Sequence, residues 1–215
     1  MTMQASTLRG VEAGPEEHSA KRLQILKGAN EVFMSKGFDA ASMGEIARVA
    51  GVSKGTLYVY FEDKEKLFEA IVQQACRVHA EEVFELDPND HDVEAVLMRM
   101  GIAFATAMCR VEGLSSLRTV IAIAERMPDL GRAFYETGPA EGARKLKAYL
   151  DAQTDAGILN IDKTESDVVA IQFVDALTGT TFKPMLFNFD APAPARIEQV
   201  VKIGVRAFLA AYKAQ

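Results

Sequence analysis

The chain has 215 residues, 49% of them hydrophobic, and a formal net charge of −6. This size and apolar content suffice to bury a substantial core, in one large domain or two small ones. No run of about 18 uncharged apolar residues predicts a membrane span, and the two cysteines form no disulfide framework, so we expect a cytoplasmic protein without membrane partners.

The first elements are predicted from helix stop and start signals. Residues 1–18 have no periodic apolar positions and are expected to form a flexible tail. A first helix follows and ends at Gly37, a glycine suited to a left-handed C-cap with Phe38 packing back. Ser42-Met43-Gly44-Glu45 has the spacing of a capping box and predicts the start of a second helix.

The segment from Gly51 to Phe61 predicts a tight turn followed by a short helix. Gly51 can adopt the left-handed conformation of such a turn, and Ser53 is a favourable N-cap. Leu57 and Phe61 lie four residues apart on one face, which leaves a lysine, hydroxyls and phenols on the others. Those groups suit phosphate oxygens and base edges, so the two short helices predict a DNA-binding helix-turn-helix. An ordinary helical hairpin within a core is the alternative.

The charge is distributed unevenly along the chain. Residues 19–66 carry eight basic and six acidic side chains, whereas residues 67–215 carry fifteen and twenty-one. DNA binding depends on local potential more than on net charge, and an acidic body would orient the basic end toward DNA. The segment with more basic than acidic side chains, residues 19–66, is thus the one that contains the predicted helix-turn-helix.

Beyond the motif, helical periodicity dominates and predicts an all-α fold. Asp63 should cap a long fourth helix that ends near Asp87-Pro88. Further helices are predicted around Val93 to Met108 and Leu117 to Ala124, and another begins at Pro128. Gly138-Pro139 should break that helix before a segment that ends at Gly157.

The last two predicted helices indicate a homodimer. Thr164-Glu165-Ser166-Asp167 should cap a helix to about Pro184 that is apolar on nearly every face, and a final helix follows Pro194. We interpret this pattern as one face against the chain's own core and one against a second subunit, with a large monomeric core as the alternative. The predicted interface residues are Ile171, Val174, Leu177, Thr178, Thr181, Val201 and Phe208.

Soft and aromatic side chains on the middle helices are candidates for an apolar ligand cavity, although such positions also suit an ordinary core. Arg118 could anchor a carboxylate or phenolate, or form a salt bridge with Glu125 or Asp175. The predicted ligand-binding residues are Met98, Phe104, Met108, Arg118, Ile121, Phe134, Phe173 and Leu177.

Residues 22–68 resemble the N-terminal domain of the TetR (tetracycline-repressor) family, most densely from Gly51-Val52-Ser53-Lys54-Gly55-Thr56-Leu57-Tyr58 to Lys64-Glu65-Lys66-Leu67-Phe68. The stretch from Leu117 to Glu136 also looks like one branch of the family's ligand domains. The resemblance implies a homodimeric repressor that a small molecule releases from its operator. Gly44 departs from the family pattern, because some members carry a base-reading basic residue there. The resemblance would place these residues at the DNA: Ser42, Ser53, Lys54, Gly55, Thr56, Tyr58, Tyr60 and Lys64.

Together these observations predict a tail at residues 1–18, a three-helix DNA-binding domain at 19–65 and a larger helical domain for ligand binding and dimerisation at 66–215, with about nine or ten helices in all. The predicted partners are a double-stranded DNA operator, a second copy and a small, hydrophobic or aromatic effector. A ligand-independent helix-turn-helix protein is the alternative. Because no catalytic or cofactor motif is present and Cys76, His79 and Glu82 are too few for a structural zinc site, we predict no enzyme, cofactor or metal.

Overall fold

The computed structural model describes residues 15–214, except the side chains of residues 15–17, 79, 111, 112 and 116. The chain forms two compact units, Met1–Phe68 and Glu69–Gln215, and the boundary between them falls inside one helix. The assignment of DNA binding to residues 19–65, and of ligand binding and dimerisation to residues 66–215, stays a prediction.

The first unit consists of helices α1 (Pro15–Lys36), α2 (Met43–Val49), α3 (Lys54–Tyr60) and the first turns of α4 (Lys64–Val83). Helix α1 begins inside the predicted tail, because the fixed φ and missing N–H of Pro15 suit a first helical turn. Residues 1–14 of that tail lie outside the described residues. The predicted C-cap is confirmed: Gly37 has a φ of 79° and its N–H donates to Phe33 O at 2.8 Å.

The core of the first unit joins all its helices through apolar side chains. Helix α1 crosses α2 so closely at Gly28 that an added Cβ there would lie 2.6 Å from Ala50 Cα. Only glycine permits this approach of the two backbones. The large side chains with no exposed surface in this unit are Ile25, Ile46, Leu57 and Leu67.

The second unit contains the rest of α4 and seven further helices: α5 (Val93–Met108), α6 (Val111–Ile123), α7 (Pro128–Tyr135), α8 (Glu141–Asp155), α9 (Ser166–Thr178), α10 (Phe182–Leu186) and α11 (Pro194–Tyr212). Helix α9 packs on α8, and α11 packs on α5 and α9. Within residues 15–214, ten helices have seven residues or more, and the β structure is a single isolated bridge between Leu159 and Lys213. The predicted all-α fold is confirmed.

The sequence predicted that Gly138-Pro139 would break the helix, and this prediction is wrong. A π-helical turn over Glu136–Ala140 joins α7 directly to α8. The wider turn accommodates the proline ring and its missing N–H, which an α-helical interior tolerates poorly. Gly138 also lies against Cys76, since a Cβ added to it would be 3.1 Å from Cys76 Sγ.

Helix α4 ends at Val83, earlier than the predicted Asp87-Pro88, because Phe84 turns into the core and the next residues form a loop. Two buried side chains of α8 hold that loop by its carbonyl groups. Tyr149 Oη donates to Asp90 O at 2.9 Å, and Gln153 Nε2 donates to Pro88 O at 2.8 Å. The loop is therefore fixed from α8, far along the chain.

The predicted helix from Thr164 to Pro184 is instead two helices. Thr164 does not cap it, because its hydroxyl donates to Asp162 Oδ1 at 2.7 Å and Glu165 occupies the N-cap position. Helix α9 ends at Thr178, and α10 begins only at Phe182. Glycine and two β-branched threonines in succession, at positions 179–181, weaken helix propensity enough to explain the interruption.

Candidate nucleic-acid interface

The turn between α2 and α3 has the conformation that the sequence predicted. Gly51 has a φ of 66°, and the Val52 N–H donates to Ala47 O at 3.0 Å. Gln24 of α1 donates through Nε2 to Ala50 O at 2.7 Å, which fixes the turn against the first helix. Helices α2 and α3 therefore form a helix-turn-helix held by α1.

Both predicted N-caps are present. Ser53 Oγ accepts the Thr56 N–H at 2.9 Å, and Ser42 Oγ accepts the Glu45 N–H at 3.3 Å. The box at α2 is only half formed, because the Glu45 carboxylate pairs with Lys36 Nζ at 2.7 Å. The serine caps thus start the two helices of the motif where the sequence placed them.

Helix α3 separates a buried face from an exposed one. Leu57 has no exposed surface and Phe61 is 6% exposed, whereas 53% of the Tyr58 side chain is exposed. Lys54 and Gly55 are exposed as well, and Thr56 is half-buried with its hydroxyl 2.8 Å from Ser53 Oγ. The predicted DNA-facing residues of α3 therefore lie outside the core and are available to a partner.

Gly44 of α2 lies directly beside the Lys54 side chain. A Cβ added at Gly44 would be 2.9 Å from Lys54 Cε and 3.1 Å from Lys54 Nζ. The glycine therefore leaves the space in which the lysine stem lies, so the cation at this point of the motif comes from α3. Arg48, exposed at the end of α2, is a further cation that the sequence reasoning missed and that its exposed helical position would have indicated.

Lys64 makes contacts that differ from its predicted one. Its ammonium donates to Phe38 O at 2.8 Å and to Asp39 O and Ala41 O at 3.3 Å, and it lies 4.5 Å from the centroid of the Phe38 ring. An ammonium has three N–H donors, and all three are used on these carbonyls. Lys64 therefore fastens the first turn of α4 to the loop after α1, and its predicted phosphate contact stays a prediction.

Tyr60 also has a partner within the first unit. Its hydroxyl is 2.9 Å from His18 Nδ1, and the two rings are 5.5 Å apart. The half-buried Tyr60 therefore joins α3 to the start of α1, while Tyr58 is turned outward. The exposed residues among those predicted to face DNA are Ser42, Ser53, Lys54, Gly55 and Tyr58.

The predicted ligand-binding residues differ widely in burial, and their role in binding a ligand stays a prediction. Phe173 and Leu177 are buried in the core, Ile121 is 58% exposed, and the remaining apolar members are half-buried. Arg118 forms neither predicted salt bridge, because its Nη2 donates to Met185 O at 2.5 Å and to Leu186 O at 3.4 Å. The half-buried members are Met98, Phe104, Met108 and Phe134.

Two cavities of the second unit lie elsewhere. One of about 260 Å³ is lined mostly by charged side chains of α4, the π turn and α8, among them Arg77, Glu136 and Lys145. The other, of about 120 Å³, lies between the start of α5 and the end of α11. Neither is lined by a predicted ligand-binding residue.

Four predicted interface residues are buried in the protomer's own core, and their part in a subunit interface stays a prediction. Leu177 and Val201 have no exposed surface, and Thr181 and Phe208 are 2% and 6% exposed. Phe208 packs on Phe173 with ring centroids 5.1 Å apart. Leu177 and Val201 therefore offer a second subunit no exposed side-chain surface. Ile171 is 41% exposed, and Val174 and Thr178 are half-buried, so these three retain surface.

Two further features of the described chain concern metals and membranes. Among the described side chains, which exclude His79, no three histidine, cysteine or acidic residues are grouped as metal ligands. Burial raises the pKa of Cys76 to about 11, so its thiol stays protonated at neutral pH. No described helix combines the length and the apolar character needed to cross a bilayer.

An all-helical chain with a capped helix-turn-helix and a larger helical unit has the architecture of a bacterial transcriptional regulator. Two family models match the sequence: the tetR family of bacterial regulatory proteins over residues 25–71, and the C-terminal domain of AefR-like transcriptional repressors over residues 95–214. The chain belongs to the TetR family of transcriptional regulators.

Similar proteins agree with this family. A TetR-family transcriptional regulator from Mesorhizobium loti has a TM-score of 0.85 and 30% identity, over 91% of this chain and 98% of that one. The flavonoid-responsive regulator FrrA has a TM-score of 0.75 and 27% identity over the same shares. The transcriptional repressor BepR of Brucella suis is 32% identical over 89 residues, 41% of this chain and 43% of BepR. The chain thus spans less than half the length of this curated relative.

Proposed function

We propose that the protein is a repressor that binds a palindromic DNA operator as a homodimer and that a small hydrophobic or aromatic ligand releases it. The observation that carries the DNA-binding part is α3 itself, whose Leu57 face is fully buried while Lys54 and Tyr58 are exposed. Repression is supported by the match to the AefR-like repressor domain over residues 95–214 and by the similarity to BepR, which is a transcriptional repressor. Such a protein acts on the chromosome, in the cytoplasm.

The proposed dimer uses the outward faces of α9 and α11. Val168 and Ile171 of α9 are 51% and 41% exposed, and Ile203 of α11 is 48% exposed. Asp175 on the same face of α9 and Arg206 on α11 are exposed and opposite in charge. A two-fold axis brings identical patches together, and helix-turn-helix dimers use this symmetry to read two half-sites about 34 Å apart.

The proposed effector response rests on the family and on helix α4. FrrA is described as flavonoid-responsive, which makes polyphenols the first compounds to test here. The two ends of α4 are held separately: Lys64 donates to the carbonyls after α1, and Ala80 O accepts from Lys145 Nζ of α8 at 3.3 Å. A ligand that displaces the end of α4 near α8 would therefore move the same helix whose first turn Lys64 holds.

The DNA-binding proposal is tested with an operator selected from a random duplex pool by the wild-type protein. Tyr58→Ala should weaken binding to that duplex at least about tenfold without loss of stability, because Tyr58 is exposed and one specific base contact contributes about 1–3 kcal/mol. Tyr135→Ala is the matched control, since Tyr135 is 56% exposed on α7. Equal affinities for all three proteins, or no enriched duplex, would contradict the proposal.

The effector proposal is tested by titrating a flavonoid panel into the protein with and without saturating operator. A releasing ligand must bind less tightly to the operator complex, by the same factor by which it weakens operator binding. Phe104→Ala should lower the affinity for such a ligand if the half-buried side chains of α5 contact it. A ligand that binds equally well in both titrations would instead support the alternative, a DNA-binding protein that acts independently of ligands.

A further inference from the structure

The outermost residues of α3 are a glycine and a valine. Successive residues of an α-helix are rotated by about 100°, so the residues two positions before and two after Leu57 lie roughly 160° from it. Leu57 has no exposed surface and defines the inner side of the helix. Gly55 and Val59 therefore define its outer side, between Lys54 and Tyr58 on one flank and Thr56 on the other.

Both outer positions are open. The Val59 side chain is 76% exposed, and a Cβ added at Gly55 would have Ser53 Oγ, at 3.7 Å, as its nearest heavy-atom neighbour. The outer side of α3 thus offers bare backbone at its first turn and an isopropyl group at the next. Val59 adds nothing to the core, and a β-branched residue is a poor choice for helix stability in a seven-residue helix.

The chemistry of the major groove narrows what this isopropyl group can recognise. Donors and acceptors at the base edges give an aliphatic group no favourable contact, and the C5-methyl of thymine is the apolar group that each A·T pair presents there. Gly55 has no side chain to keep the helix away from the bases, so Val59 can come within van der Waals distance.

We propose that Val59 is a specificity-determining residue that reads the C5-methyl group of a thymine in each half-site; this inference rests on the proposed binding of DNA by α3. The recognition is apolar and carries no charge. It therefore adds sequence preference without changing the number of phosphate contacts. The flanking Lys54 and Tyr58 supply the polar contacts beside it.

The test uses the operator duplex selected with the wild-type protein, with each symmetric pair of thymines replaced in turn by deoxyuridine, which lacks the methyl group. Loss of one buried methyl contact lowers affinity about fourfold at each half-site, and therefore about sixteenfold for a dimer. We expect this loss at one pair for the wild type and for Val78→Ala, the control at a valine 47% exposed on α4. Val59→Ala should bind the unmodified duplex more weakly and lose nothing further at that pair.

Two more duplexes and the salt dependence complete the design. In the first of these duplexes, 5-methylcytosine paired with guanine replaces each thymine of the sensitive pair, and in the second, unmethylated cytosine does. The wild-type protein should bind the methylated duplex more tightly than the unmethylated one. The slope of log affinity against log salt should be unchanged in Val59→Ala, because no phosphate contact is lost.

Three outcomes would overturn the inference. In the first, the wild type binds every deoxyuridine duplex as well as the thymine duplex, which would show that no methyl group is read. Alternatively, Val59→Ala keeps the full deoxyuridine penalty, so that another residue reads the methyl. A selection that enriches no duplex would overturn both this inference and the proposed DNA binding, whereas the first two outcomes leave DNA binding intact.

Discussion

The two units of the chain differ in the sequence separation of the contacts that determine their structure. In the first unit, Ser53 Oγ accepts the N–H of Thr56, three residues away, and the Gly51 N–H donates to Arg48 O, three residues before it. In the second, Leu177 is buried among residues of other helices, with Cδ1 3.2 Å from where a Cβ on Gly101 would lie. Local signals therefore predicted the helix-turn-helix, while burial in the larger unit depended on packing between distant segments.

The largest effect is expected at Leu177, which is buried among residues of other helices. Leu177→Glu should prevent folding of the second unit or destabilise it by several kcal/mol, because it places an unpaired charge where no surface is exposed. Ile171→Glu should leave the fold intact and abolish the proposed dimer, since Ile171 is 41% exposed on the same helix. Thermal melts followed by circular dichroism, together with sedimentation, separate the two variants.

A folded monomeric Leu177→Glu protein would contradict this assignment and restore Leu177 to a subunit interface. A dimeric Ile171→Glu protein would remove the proposed interface on α9. Wild-type sedimentation as a monomer at micromolar concentration would contradict the homodimer itself.

The next largest effects are expected at two glycines that lie where helices cross, one in each unit. Gly28→Ala should destabilise the first unit by about 2–3 kcal/mol, because the new Cβ would lie 2.6 Å from the backbone of Ala50. Gly101→Ala should cost the second unit less, since its new Cβ would meet side-chain atoms, Val201 Cγ1 at 2.7 Å and Leu177 Cδ1 at 3.2 Å. Denaturant melts give both values. A larger loss in Gly101→Ala would mean that the second core is the more rigid of the two.

Sequence reasoning predicted the helices whose ends carry their own signals. The Gly37 C-cap, the Ser42 and Ser53 N-caps, and the prolines that begin α7 and α11 all lie where periodicity and capping placed them. Helix α9 was predicted to have one face against the core and the other against a second subunit, but the sequence did not show which residues lie on which face: Ile171 is exposed, whereas Leu177 is buried in the protomer. An apolar side chain has the same helical period whether it faces the core, a ligand or a partner, so pattern alone could not sort these residues.

Lys64 is the exception within the first unit, since its contacts are distant in sequence. Lys64→Met should destabilise that unit by about 1–2 kcal/mol, because the ammonium donates to three carbonyls of residues 38–41 and the methionine keeps only the apolar stem. Hydrogen exchange of the loop after α1 should quicken. Lys27→Met, at an exposed position of α1, is the control. If Lys64→Met is as stable as the wild type but binds DNA with a weaker salt dependence, the phosphate contact predicted from sequence is correct after all.

The smallest effect on stability is expected at the two serine caps, and it separates stability from DNA binding. Ser53→Ala should cost about 1 kcal/mol, and Ser42→Ala less, because the Ser53 cap bond is 2.9 Å long and that of Ser42 is 3.3 Å. Ser53→Asp keeps a carboxylate oxygen as the cap and suits the positive end of the helix, so the melt of this variant should match the wild type. If α3 lies in the major groove, the new carboxylate would face the phosphate backbone. The operator affinity of Ser53→Asp should then be far below that of the wild type, most of all at low salt, where charge repulsion is screened least. Wild-type operator affinity in Ser53→Asp would show that the start of α3 points away from DNA, although the cap itself would still have been predicted correctly from the sequence.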